Sequence, residues 1–362
     1  MKVKDRGIVL AKSMEAKKYG ISTAETIYMA RKKCPGIKVY DGLKYSKYRE
    51  YSDKLYNLLL QYTDVIERYS IDECFLDMTH FLQKDSLLDK AYEINKRVKR
   101  EFGFTVNIGV AHNKLLAKMA SDFTKPDRVH TLYEDEIESK MWGLPVSELF
   151  MLGRKTVPKL YSMGIKTIGD LAKSDERILI KKFGKHGRMM WEYSNGIDNS
   201  EVQSKKRKPK SIGNSVTLPN DVIDISKLEE VLLALTEQVT YRLRKENLLA
   251  NVVNVQLRTK DFEDVSHQKK LDGATSSTKE IYFVAKQLLK ETLKERKFIR
   301  LIGVRVDNLV PKDELQLSLF DNKNREKQNN LDNVIDKLKD KYGYDFIKRA
   351  GEMNVSQMID KK

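Results

Sequence analysis

The sequence has few of the features that mark secreted, zinc-binding or membrane-spanning proteins. It contains only two cysteines, Cys34 and Cys74, so a framework of several disulfide bonds is excluded. Neither cysteine has a histidine or a second cysteine at the spacing of a zinc site. No stretch approaches the roughly 18 apolar residues of a transmembrane helix, and the first residues lack the hydrophobic core of a signal peptide. These absences predict a protein of the reducing cytoplasm.

The charge balance of the chain is strongly basic. Its 68 lysines and arginines against 52 acidic residues give a net charge of +16 at pH 7. This excess favours a polyanionic partner, although it could also serve solubility alone. Nucleic acid is the leading partner class, because the chain has no basic amphipathic stripe with Trp and Phe for a membrane surface. We therefore predict a nucleic-acid partner and no membrane.

Hydrophobic periodicity predicts an α+β protein with several domains. Apolar residues alternate with polar ones from Phe104 to Val110, which predicts a half-buried strand, and a helix is predicted from Lys114 to Asp122. Short helices with Gly-containing turns in residues 134–200 are typical of a helix-hairpin-helix that binds phosphates, or of a generic helical subdomain. Residues 211–310 follow the order β-α-β-β-α-β of a ferredoxin-like domain.

An adjacent pair of acids, Asp72 and Glu73, lies between two apolar runs. Successive side chains of a strand point to opposite faces, so the two carboxylates can serve one site only where the strand turns. If they converge, their hard oxygen atoms suit Mg²⁺ or Mn²⁺ rather than zinc. The alternative is a solvated hairpin turn without a ligand.

A polar segment, residues 311–362, ends the chain, and we expect it to form a flexible charged tail that regains helical spacing after Leu331. It carries a motif that consists of Gln316, Leu317, Ser318, Leu319 and Phe320. The leucines and the phenylalanine of this motif could fill an apolar pocket of a partner, and the glutamine could orient the peptide there through hydrogen bonds. A docking peptide is the favoured interpretation, and a fragment of strand is the alternative.

Residues 70–77, with the sequence Ser-Ile-Asp-Glu-Cys-Phe-Leu-Asp, resemble the second catalytic motif of the Y-family translesion DNA polymerases of the UmuC/DinB type. The order of features over residues 7–320 is similar to that family. The segment 6–20 resembles its fingers, the segment 109–126 resembles the palm region that ends in a triphosphate-binding lysine, and the motif 316–320 resembles its sliding-clamp peptide. The resemblance implies fingers (1–46), palm (47–133), helix-hairpin-helix thumb (134–200), basic linker (201–210), little finger (211–310) and a tail with the clamp motif (311–362).

The resemblance also implies residue roles. Asp72 and Glu73 would coordinate two Mg²⁺ ions, for which Mn²⁺ could substitute, and Lys125 and Lys17 would bind the nucleotide triphosphate. The partners implied are primer-template DNA, a dNTP and the β sliding clamp. Lys17 stands where the family commonly has an arginine, so the charge remains and the bidentate fork is lost.

The main departure from the family is at the start of the chain. Family members begin with a strand that carries another metal-binding aspartate and an aromatic steric gate, and the sequence starts after that strand. The hypotheses are therefore a translesion DNA polymerase with a truncated start, a catalytically silent accessory protein that binds DNA and the clamp, and a helix-hairpin-helix nuclease or repair protein.

Overall fold

The structure is a computed structural model that describes residues 7–40, 45–81, 84–205, 208–294, 298–314 and 323–349. The chain divides into two compact units, Met1–Ser204 and Lys205–Lys362. The division lies within residues 201–210, and the finer domain boundaries stay predictions. Each unit is described by itself below.

The first unit is mainly helical, with short strands between its helices. Its helices are α1 (Met14–Lys18), α2 (Ile27–Lys33), α3 (Tyr45–Leu59), α4 (Lys84–Phe102), α5 (Lys114–Asp122), α6 (Ile137–Lys140), α7 (Val157–Tyr161), α8 (Ile168–Ala172), α9 (Glu176–Phe183) and α10 (Lys185–Ser194), with 3₁₀ turns at Glu134–Glu136 and Val146–Glu148. Its strands are β1 (Ile66–Arg68), β2 (Cys74–Leu76), β3 (Ile108–Val110) and β4 (Val129–Thr131). Strands β1 and β2 form an antiparallel hairpin, and β3 pairs with β4 in parallel.

Helix α5 has the bounds that the sequence predicts, and local contacts explain them. The Asn113 side chain accepts a hydrogen bond from the Leu116 amide and so caps the helix start. The buried face of α5 joins the core that also contains Met141, Leu160 and Met190. Gly109 of β3 permits a close approach to the helix, because a Cβ at this position would lie 1.9 Å from the carbonyl oxygen of Ala117. The helix is therefore held at a fixed position beside β3.

The predicted strand over residues 104–110 is wrong in its first half, since only Ile108–Val110 pairs as a strand. The partner strand, β4, is just as short. The carbonyl of Val106 accepts a hydrogen bond from the Asn95 side chain instead of a strand amide. Phe104 packs against the core of α3 and α4, and its ring lies edge-on to that of the exposed Tyr51. The alternation of apolar and polar residues here reflects burial of the apolar side chains and not hydrogen bonding to a neighbouring strand.

The second unit has the order β-α-β-β-α-β that the sequence predicts. Its elements are β5 (Ser211–Val222), α11 (Ile225–Lys245), β6 (Leu248–Thr259), β7 (Asp264–Thr275), α12 (Thr278–Leu293), β8 (Ile299–Pro311), a 3₁₀ turn at Lys312–Glu314, α13 (Lys323–Tyr342) and a 3₁₀ turn at Tyr344–Phe346. The strands lie in the order β5-β8-β6-β7, and all neighbours are antiparallel. Each helical crossover therefore spans one inserted strand, which is the split βαβ arrangement. Helices α11 and α12 bury their apolar faces on this sheet.

The expectation of a flexible tail is wrong for residues 323–349, because α13 packs against the second unit through its charged side. Asp332 and Lys339 of this helix are 1% and 3% exposed, whereas Leu331 is 49% exposed. Lys339 pairs with Glu237 of α11 at 2.9 Å, and Arg244 forms two hydrogen bonds to Asp336. The sequence pattern predicts helix α13 correctly, but it does not predict which face of the helix is buried.

The fold class is α+β, as the sequence predicts. Over the described ranges, none of the helices combines the length and the apolar character needed to cross a bilayer.

Candidate active site

Asp72 and Glu73 lie in the turn of the β1–β2 hairpin rather than within a strand. The amides of Tyr69 and Ser70 both donate to the carbonyl of Glu73, at 3.0 and 3.2 Å, and so close the turn. The hydroxyl of Ser70 lies 2.7 Å from Asp72 Oδ1 and 3.4 Å from Glu73 Oε2. One side chain thus touches both carboxylates, and the turn brings the two acids to one side.

Lys118 of α5 connects this turn to the helix. Its ammonium lies 2.5 Å from Glu73 Oε1 and 3.0 Å from Asp122 Oδ2. The other oxygen of Asp122 lies 2.6 Å from the ammonium of Lys125. Glu73, Lys118, Asp122 and Lys125 therefore form a chain of alternating charge, and Ser70 extends it to Asp72.

Burial and ion pairing shift the pKa values of Lys118 and Asp122 in opposite directions. Burial alone would lower the pKa of Lys118, but its hydrogen bonds to Glu73 and Asp122 outweigh burial and raise the pKa above its usual value. Burial would likewise raise the pKa of Asp122, but Lys125 and Lys118 hold it below the usual value. Both groups are charged at neutral pH. Burial raises the pKa of the Cys74 thiol, so this neighbour of Glu73 stays protonated and is a poor metal ligand.

A second lysine fastens the hairpin to α5. Lys114 lies one helical turn before Lys118 and pairs with Glu67 of β1 at 2.9 Å. Glu67 also accepts a hydrogen bond from the amide of Gln203, at 2.9 Å. Two ion pairs from one helix therefore fix the position of the carboxylate turn.

The chemistry of the donor atoms fits a divalent cation that is shared with a substrate. Among the residues that the structure describes, no group of three or more His, Cys, Asp or Glu side chains is arranged to hold a metal ion. Mg²⁺, however, commonly uses only one or two carboxylates together with water and substrate phosphates. The two adjacent carboxylates, with Lys125 linked to them through paired charges, are consistent with such a site.

The other predicted site residues are placed differently. Lys17 is exposed on α1, and within the described ranges no ion pair links its side chain to the group around Asp72. The docking motif 316–320 lies outside the described residues.

Three members of the group received no role from the sequence, namely Ser70, Lys118 and Asp122. Lys118 and Asp122 are four residues apart on α5, and Lys125 follows three residues later. This spacing places oppositely charged side chains side by side on a helix. The i, i+4 pair next to the predicted triphosphate-binding lysine is the sequence feature that marks Lys118 and Asp122, but such pairs are common on solvated helices; Ser70 is not marked by it.

Comparison with known proteins covers most of the chain. Residues 1–122 match the impB/mucB/samB family, residues 149–198 match the thumb domain of DNA polymerase-iota, and residues 209–319 match the impB/mucB/samB family C-terminal domain. The chain is 46% identical over 344 residues to DNA polymerase IV of Clostridium acetobutylicum, a match that spans 95% of this chain and 86% of that protein.

Solved structures of polymerases are similar as well. A Y-family DNA polymerase chimera of Dbh and Dpo4 superposes with a TM-score of 0.74 at 27% identity, over 85% of this chain and 89% of the chimera. The insertion ternary complex of Dbh DNA polymerase gives a TM-score of 0.58 at 26% identity, over 84% of this chain and 88% of that one.

These similarities confirm the predicted family and do not favour the alternative of a silent accessory protein. They extend over nearly the whole chain, and the impB/mucB/samB match includes residues 70–77 and 109–122. The chain belongs to the Y family of DNA polymerases and is a DNA-directed DNA polymerase of translesion synthesis.

Proposed function

We propose that Asp72 and Glu73 hold the divalent ions of the polymerase, two Mg²⁺ for which Mn²⁺ can substitute. Y-family DNA polymerases are in general dependent on divalent metal ions. One observation carries the proposal: the two carboxylates share the hydroxyl of Ser70 and are linked by paired charges to Lys125. Acidic ligands and a phosphate-binding cation are the two components that nucleotidyl transfer requires at one place.

In the proposed reaction, the 3′-hydroxyl of a primer attacks the α-phosphate of a dNTP in line, and pyrophosphate leaves. The bound ions would supply charge stabilisation at the attacking and leaving oxygens. Asp72 and Glu73 would hold the ions at the hairpin turn, and Lys125 would leave Asp122 to neutralise the triphosphate. Lys17 supplies a second positive charge from α1, without the bidentate geometry of an arginine. Catalysis by the protein is then positioning and charge stabilisation.

The macromolecular substrate is primer-template DNA, and the small substrate is a dNTP. The ternary complex of Dbh DNA polymerase and the net charge of +16 support this assignment. A basic protein gains affinity for DNA by releasing counterions from its phosphates.

Replacement of Lys125 by methionine should raise the KM for the dNTP at least about tenfold, with a smaller decrease in kcat, because a hydrogen bond to a charged group contributes about 1.5–3 kcal/mol. The fold should survive, because Lys125 is 52% exposed and its pair with Asp122 is an exposed one. Steady-state incorporation opposite an undamaged template base measures both constants.

Lys99→Met is the matched control for this variant. Lys99 is 60% exposed and pairs with Asp127 at 2.5 Å, and within the described part of the chain no ion pair links it to Asp72 or Glu73. Its replacement should leave the KM for the dNTP unchanged. Equal KM values for Lys125→Met and the wild-type protein would remove Lys125 from the triphosphate site.

We further propose that residues 316–320 bind the sliding clamp. The chain on both sides of the motif is fastened to the second unit: Asp313 accepts a hydrogen bond from the Asn247 side chain, and α13 pairs with Glu237 and Arg244. The motif therefore connects two anchored elements. Its Leu and Phe side chains supply the apolar anchors that a partner's pocket requires.

Replacement of both Leu319 and Phe320 by alanine should weaken clamp binding at least about a hundredfold, since each buried anchor contributes about 1.5–3 kcal/mol. DNA affinity should stay the same. Clamp binding is measured by surface plasmon resonance, with Asp321→Ala/Asn322→Ala as the control. Unchanged clamp affinity of the Leu319/Phe320 variant would contradict the proposal.

A further inference from the structure

Lys118 is the group of the active site whose purpose the metal-binding proposal leaves open. Its side chain is only 15% exposed, and its ammonium lies between two carboxylates, at 2.5 Å from Glu73 and 3.0 Å from Asp122. A lysine that is this far removed from water needs paired charges to remain protonated. A cation therefore already lies against one of the two proposed metal ligands.

The arrangement also solves an electrostatic problem of the free enzyme. Asp72 and Glu73 share one hydroxyl, and Asp122 lies on the far side of the same ammonium. Without a cation, the carboxylates would repel one another and Glu73 would turn towards solvent. The positive charge of Lys118 attracts the carboxylate of Glu73 and so holds this side chain in the turn.

We propose that Lys118 is an exchangeable counter-ion that orients Glu73 in the free enzyme and competes with the divalent ions for it. When the ions bind, Lys118 gives up Glu73 and keeps Asp122. Asp122 is free to take this pairing alone, because Lys125 moves from Asp122 to the triphosphate. Lys118 is then a positioning residue that sets the affinity of the site for metal. This inference rests on the proposed function of Asp72 and Glu73.

Lys114 supplies an internal comparison for this proposal. It lies on the same helix one turn earlier, is also 15% exposed, and pairs with a carboxylate at 2.9 Å. Its partner, Glu67, is no proposed metal ligand. The two lysines match in helix and exposure, and each pairs with a glutamate of the hairpin. They differ in that Lys118 also pairs with Asp122, and in whether the glutamate must be released to a metal ion.

The experiment is a titration of the full chain with Mn²⁺ alone, followed by the electron paramagnetic resonance signal of the unbound ion. Lys118→Met removes the competing charge and should tighten Mn²⁺ binding about tenfold. Lys118→Gln should give the same direction, whereas Lys118→Arg and Lys114→Met should bind Mn²⁺ like the wild-type protein. The Mg²⁺ concentration for half-maximal primer extension should fall in parallel for Lys118→Met.

Mn²⁺ binding by folded Lys118→Met and Lys118→Gln that is equal to or weaker than wild type would overturn the inference. A purely structural lysine would behave in this way, because its loss would only disorder Glu73. Glu73→Gln separates this failure from a failure of the metal site. Wild-type Mn²⁺ affinity in Glu73→Gln would reject the proposed ligands, whereas weakened binding there, without tightening in the Lys118 variants, would reject only the role of Lys118.

Discussion

Glu73→Gln and Asp72→Asn should each lower the rate of single-nucleotide incorporation about a thousandfold, which corresponds to about 4 kcal/mol of transition-state stabilisation. Each change removes one negative charge from a pair that shares the Ser70 hydroxyl, and leaves the size of the side chain unchanged. Affinity for DNA should change little, since it depends on basic groups and phosphates. Single-turnover primer extension with Mg²⁺, on undamaged and abasic templates, measures the rate.

Glu93→Gln is the matched control for the active-site variants. Glu93 is also a glutamate of the first unit, and it pairs with Lys90 at 2.8 Å while accepting a hydrogen bond from Tyr62. It lies on α4 and its partners, Lys90 and Tyr62, do not belong to the group around Asp72 and Glu73, so its replacement should leave the incorporation rate as in wild type. A full rate in Glu73→Gln would show that the metal ions do not depend on this carboxylate.

Glu237→Met should release α13 from the second unit. The side chain of Glu237 is 5% exposed, and it pairs with the side chain of Lys339, which is 2% exposed, and with Arg349 at 2.8 Å. Its loss leaves a buried ammonium without its partner, which typically costs about 3–5 kcal/mol. Lys339 escapes this cost if the helix detaches, so we expect local opening and an intact β-sheet core. Hydrogen exchange of the α13 amides should become faster by about two orders of magnitude or more.

Two further variants make this result specific. Glu237→Met combined with Lys339→Met replaces the pair with apolar side chains and should restore much of the protection of α13. Glu229→Met removes a glutamate of the same helix whose partner, Lys286, is 40% exposed, and it should have an effect below about 1 kcal/mol. Slow exchange of α13 in Glu237→Met would contradict the account of how the helix is held.

The elements that the sequence predicts well are those whose cause is local. Helix α5 has a capping Asn113 and a regular apolar face, and its predicted bounds are those observed. The β-α-β-β-α-β order follows from long amphipathic segments, each of which buries one face on a common sheet. In these segments, neighbouring residues carry nearly all the information that fixes the element.

The predictions that fail depend on distant contacts. Alternation at Phe104 and Val106 comes from packing on α3 and α4, and the Asn95 side chain takes the carbonyl bond that a strand partner would have taken. Leu331 belongs to the apolar spacing that predicts α13, yet the buried positions include Asp332 and Lys339. The hydrophobic periodicity of the sequence does not show that charged residues of α13 are buried, because their partners Glu237 and Arg244 are about a hundred residues earlier.

The candidate site was partly visible in the sequence. The acid pair is visible as adjacent carboxylates between apolar runs, whereas its role in the polymerase and the role of Lys125 come from a family resemblance. The convergence of the acids requires the turn that the structure provides at residues 69–73. The link from Glu73 to Lys125 runs through Lys118 and Asp122, whose spacing is common on solvated helices and carries no functional signal by itself. The position of α5 beside the hairpin is needed to show that Lys118 and Asp122 connect Glu73 to Lys125.

Anomalous diffraction from Mn²⁺ tests the central claim most directly, in crystals of the full chain with primer-template DNA and a non-reactive dNTP analogue. We predict anomalous peaks at about 2.0–2.3 Å from carboxylate oxygens of Asp72 and Glu73 and in contact with the phosphates of the analogue. Peaks at other residues, with Asp72 still on Ser70 and Glu73 still on Lys118, would contradict the assignment of these two acids as the metal ligands.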